Sequence, residues 1–85
     1  MQIETPFPVE GTVTPTEYGH VSNLPCATEW LTETEHGDFL QQAVDRAARE
    51  YGEGTEVRVR FTADRFGEQC GDFELLGPTE EGDDA

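Results

Sequence analysis

Glu56-Val57-Arg58-Val59-Arg60-Phe61-Thr62 alternates without a fault, with Val57, Val59 and Phe61 on one side and Arg58 and Arg60 on the other. That is the period-two pattern of a strand with one buried and one solvated face. Such a strand cannot stand alone, because it needs neighbours in a sheet and a layer over its apolar side. The covering layer is written just upstream. Asp38 is a capping type, Leu40, Ala43, Val44, Ala47 and Tyr51 recur at helical spacing, and Gly52 and Gly54 follow, so one helix is predicted over residues 38–51. Asp45 stands four residues before Arg49 in the favourable acid-first order. The small Ala43 and Ala47 in the apolar stripe suit close approach to a sheet.

The flanking segments supply further strands. Ile3, Thr5, Phe7, Val9, Gly11 and Val13 fall on one side of an alternating run. Pro6 and Pro8 have no N–H to give, so regular pairing is expected from about Val9, with Gly11 read as a bulge or bend. Thr14 to Gly19 reads as a turn, His20 to Leu24 as a short second strand, and Pro25 as its end. Ala27-Thr28-Glu29-Trp30-Leu31-Thr32-Glu33 is rich in β-branched and aromatic types, which predicts a third strand. After a polar connection over residues 63–71, Asp72 to Leu76 is expected to pair back antiparallel. Gly77 and Pro78 close the domain, placed at residues 1–78, and the acidic residues 79–85 are expected to form a disordered tail.

The fold class is therefore α+β, in the order β-β-β-α-β-β. Two architectures accommodate it: a small antiparallel sheet covered by one helix, or a five-stranded barrel whose element order resembles the oligonucleotide/oligosaccharide-binding (OB) fold. That resemblance is one of order alone and rests on no sequence motif. In either case the core is expected to hold Phe7, Val9, Val13, Leu31, Leu40, Val44, Val57, Val59, Phe61, Phe73 and Leu75.

Charge narrows the function classes. The 85 residues carry 19 Asp and Glu against five cations, all arginine, for a net charge of −14. In dilute buffer such an excess opposes compaction. At molar salt the screening length falls to about 3 Å and neighbouring carboxylates scarcely interact. The lysine-free, acid-rich composition resembles proteins of salt-accumulating haloarchaea, and on that reading the acidity is a surface style that names no partner. No run approaches the roughly 20 apolar residues of a membrane span, and the first residues lack a signal-peptide pattern. A cytoplasmic protein without membrane association is expected.

Candidate sites are few. His20, Cys26, His36 and Cys70 are the soft ligands; none of their spacings is the short pair that pre-forms half a zinc site, so zinc would require the fold to gather them. The plainer reading is two buried or unpaired thiols, since a cytosolic compartment disfavours a disulfide. No orienting third residue can be singled out for a Cys–His nucleophile, and no phosphate-loop spacing occurs, so a non-enzymatic protein without a cofactor is expected. Tyr18, Trp30, Arg58, Arg60, Arg65 and Phe66 combine stacking rings with guanidinium groups, the requirement for single-stranded nucleic acid. Several also have a structural use: Trp30 in the core, Arg58 and Arg60 as the outward half of a strand, and Phe66 in a loop that folds back over a barrel end. The expected function is a salt-adapted interaction module whose partner is another protein, met through a sheet edge or the Arg65-Phe66 loop. Nucleic-acid binding and zinc binding are the alternatives.

Overall fold

The computed structural model describes residues 6–79. The expected extended start at Ile3 and Thr5, and all but the first residue of the acidic tail, lie outside the described residues. The elements are β1 (Val9–Thr16), β2 (Gly19–Asn23), α1 (Glu29–Thr32), α2 (Phe39–Tyr51), β3 (Val57–Ala63) and β4 (Cys70–Pro78). The strands form one antiparallel sheet in the order β2-β1-β3-β4. The sheet is open, and β2 and β4 are its edges.

Register follows the alternation read from the sequence. Val9 lies opposite Phe61, Gly11 opposite Val59 and Val13 opposite Val57; beyond β3, Phe61 meets Phe73 and Val59 meets Leu75. Directly opposed residues share a face, so one face collects the apolar set. Val13, Val57, Val59 and Phe61 are buried there against Phe39, Leu40, Ala43, Val44 and Ala47 of α2, with Leu31 of α1, and Val9, opposite Phe61, is buried outside that cluster. Phe7, Phe73 and Leu75 are partly buried against this cluster. Most of the core expected from sequence forms, and Phe39, Ala43, Ala47 and Cys70 join it.

Helix α2 begins where its cap requires. The Asp38 side chain accepts the Gln41 backbone N–H at 2.9 Å, satisfying a donor that the first turn leaves free. At the other end Gly52 takes φ 92°, a left-handed conformation that lets the chain leave the helix. Gly54 then donates its N–H to the Pro15 carbonyl at 2.8 Å, fixing the helix exit to the end of β1.

The expected third strand over Ala27–Glu33 is a helix instead, and with it the five-stranded barrel gives way to the open sheet. Leu24 is the reason. A Cβ placed on Gly11 would lie 2.5 Å from Leu24 Cδ2 and 2.5 Å from the Asn23 carbonyl oxygen, so Leu24 occupies the space left by the missing side chain. The chain thereby leaves β2 into the helix layer and does not turn back along the free edge of β2. There it closes its hydrogen bonds locally: Leu31 and Thr32 donate to the Thr28 carbonyl at 2.8 and 3.0 Å. The short turn sends Leu31 into the core and sets Trp30 edge-on to Phe7, with centroids 6.2 Å apart. Gly11 accordingly marks a close approach and no bulge, since its pairing with β3 is regular.

Candidate functional site

The connection between β3 and β4 is shorter than expected, residues 64–69, because β4 already begins at Cys70. It is tightly organised. Gly67 donates its backbone N–H to the Asp64 carbonyl at 3.0 Å and adopts φ 71°, closing a β-turn with Arg65 and Phe66 at its two central positions. The Asp64 carboxylate accepts the N–H groups of Phe66 at 3.1 Å and Glu68 at 3.2 Å. Asp64 N–H donates to the Gln69 carbonyl at 2.7 Å, closing the base of the loop.

A second loop braces the first. Glu35 donates its N–H to Gln69 Oε1 at 2.8 Å, and His36 Nε2 stands 3.5 Å from Asp64 Oδ2. His36 is held by its own N–H, which donates to Thr34 Oγ1 at 3.0 Å. The Asp64 side chain is only 8% exposed. Burial there pushes its pKa up, but hydrogen bonds from Glu68 N–H, the His36 side chain and the Phe66 and Gly67 N–H groups outweigh it, and the net direction is below the ordinary carboxylate value.

What this frame displays is the Arg65–Phe66 pair. The guanidinium carbon sits 5.3 Å from the ring centroid, in cation–π range, and Phe66 is 72% exposed. A phenyl ring held on a hydrogen-bonded turn beside a charge is a preformed contact, with little backbone entropy left to lose on binding.

The remaining candidates do not converge on it. Val9 lies beside Phe61 in the antiparallel β1–β3 pair, so the 64–69 loop sits at the start of β1, whereas Tyr18, 94% exposed, follows its end. These are opposite ends of the sheet. Trp30 is in the helix layer against Phe7. Arg58 and Arg60 project from the opposite, uncovered face, where Arg60 Nε is 3.0 Å from Glu10 and its Nη1 3.6 Å from Glu74. Glu10, Arg60 and Glu74 stand side by side in register, an acid on each flank of the cation. Arg58 faces out between Thr12 and Gly77 without an ion pair among the described residues.

Among the described residues no group of three or more His, Cys, Asp or Glu side chains is placed to hold a metal ion. His20 lies on β2, while His36 sits before α2 at the other end of the sheet. Cys26 and Cys70 are free thiols. Burial pushes Cys70 up to about 11, and Cys26 is also raised by burial.

The organising residue, Asp64, is one that sequence reasoning missed. Its signal was present: aspartate at the first position and glycine at the fourth of Asp64-Arg65-Phe66-Gly67 is a turn signature with a mechanism. Compared with known protein families, curated proteins and solved structures, the chain matches none significantly. No described helix is long and apolar enough to cross a membrane.

Proposed function

We propose that this chain is a small, non-enzymatic, salt-adapted interaction domain that engages another protein through the Arg65–Phe66 turn. One observation carries the reading: the exposed Phe66 ring and its arginine are mounted on a loop fixed by Asp64 and braced by Glu35 and His36. Aromatic and arginine side chains are the usual anchors of protein interfaces, and a rigid mount lowers the cost of using them. The acid excess is the general surface style of a protein that works in concentrated salt.

The test is retention of a partner from lysate in molar salt by the wild-type chain and by Phe66→Ala. A protein retained by the first and lost by the second, with unchanged circular dichroism, supports the reading; identical retention by both opposes it. Single-stranded nucleic acid is the second reading, since the same ring can stack on a base. Saturable quenching or polarisation with a fluorescent oligonucleotide, abolished by Phe66→Ala, would favour it. The dispersal of Tyr18, Trp30 and Arg58 away from the turn weighs for the protein.

A further inference from the structure

Strand β2 is the edge that lacks protection. Long exposed edges are normally blunted by charge, proline or bulges. Edge strand β4 has all of these: Asp72, Glu74, Pro78 and two breaks in its register with β3. Interior strands β1 and β3 carry Glu10, Arg58 and Arg60. Strand β2, Gly19-His20-Val21-Ser22-Asn23, contains no acid and no arginine, in a chain of net charge −14. It pairs with β1 on one side only. Val21, opposite Thr14 on the uncovered face, is 62% exposed, and the strongly exposed Tyr18 lies in the turn that precedes β2.

We propose that this edge pairs with the same edge of a second copy of the chain, antiparallel and centred on Val21. The charge distribution selects that occupant. Two chains of this composition repel wherever both present acids, and β2 is the strand along which they can meet without doing so. A twofold arrangement uses one patch twice. Centred on Val21, it sets Val21 against Val21, His20 against Ser22 and Gly19 against Asn23, with no like-charge pair directly opposed. The two sheets join into one of twice the width, and the paired valines extend its uncovered face. A strand of five residues buries less than the roughly 1,200 Å² of standard interfaces, so the association is weak and reversible. It strengthens with salt, because screening weakens the repulsion between the chains while the backbone hydrogen bonds remain.

The experiment is sedimentation equilibrium of the full chain across a concentration series at about 0.1 M and about 3 M KCl, where the screening lengths are about 10 Å and below 3 Å. A dimer is expected at high salt, weakened on the order of tenfold at low salt. Val21→Glu places like charges directly opposite each other and should reduce association by about tenfold or more at about 0.1 M KCl, and by less in molar salt where the pair is screened, with unchanged circular dichroism. Phe66→Ala, at the other end of the sheet, should leave association intact, which separates this edge from the turn. Hydrogen exchange of the β2 amides in the wild type, slower at high protein concentration, reports the same contact without a variant. A chain that stays monomeric to about 1 mM in high salt, well above the concentrations at which micromolar contacts form, overturns the proposal. So does association at about 0.1 M KCl that Val21→Glu leaves untouched.

Discussion

Gly11 and Leu24 are packed so closely that a methyl group on Gly11 would stand 2.5 Å from Leu24 Cδ2. This contact sends the chain from β2 into the helix layer, and it leads to the first prediction. Gly11→Ala should destabilise the domain by about 1–3 kcal/mol, the usual cost of forcing atoms into filled space, read as a lower denaturation midpoint at constant slope. An unchanged midpoint would remove the explanation offered for the absent third strand.

Phe61 is fully buried on the interior strand β3, beside Val9 and Phe73 in register. Phe61→Ala should cost about 3–5 kcal/mol, a large share of the stability open to so short a chain. Loss of cooperative unfolding by circular dichroism checks this. A variant as stable as wild type would mean that the apolar face is not the core.

Asp64 holds the turn as a carboxylate, and its pKa lies below the ordinary value. The sign follows directly: a depressed folded value adds stability that is complete above the unfolded carboxyl pKa of about 3.9 and fades as pH falls through the lower folded one. Amides of Phe66 and Glu68 should therefore keep their protection at pH 5 and lose it on further acidification. Asp64→Ala should show the same loss at neutral pH, measured by hydrogen exchange. Protection in the variant equal to wild type would contradict the role given to the side chain.

The thiols should react in sequence. With Cys70 raised to about 11, only about one molecule in a thousand is thiolate there at pH 8 in the folded state. Cys26, partly exposed and raised in the same direction, should react first with a thiol-specific reagent, and Cys70 only on unfolding. Two thiols modified together at the rate of a free cysteine would show that Cys70 is not buried.

Arg60 is flanked by Glu10 and Glu74 but is 41% exposed, and solvent screens pairs of that kind. Arg60→Ala should cost no more than about 1 kcal/mol in dilute salt and less in molar salt, where the acids left facing one another cease to repel. The same screening should raise the thermal midpoint of the wild type steadily with KCl. A chain equally stable in nearly ion-free water would oppose the salt-adapted reading.

The alternation of Val57, Val59 and Phe61, the stripe from Leu40 to Ala47, and the Asp38 cap determined a strand and a helix within a residue of where they stand. Periodicity and capping are local, written in neighbours a few positions apart, so those elements and most of the core were legible. Segment 27–33 was not, because β-branched and aromatic residues favour a strand only where a neighbouring strand receives them. The packing of Leu24 over Gly11 denies it one. Tertiary structure alone likewise decided that Arg60 would stand between Glu10 and Glu74, that Tyr18 and Phe66 would lie at opposite ends of one sheet, and that β2 would be an edge. Each depends on residues far apart in the chain, where register and connection set proximity and no short-range pattern encodes it.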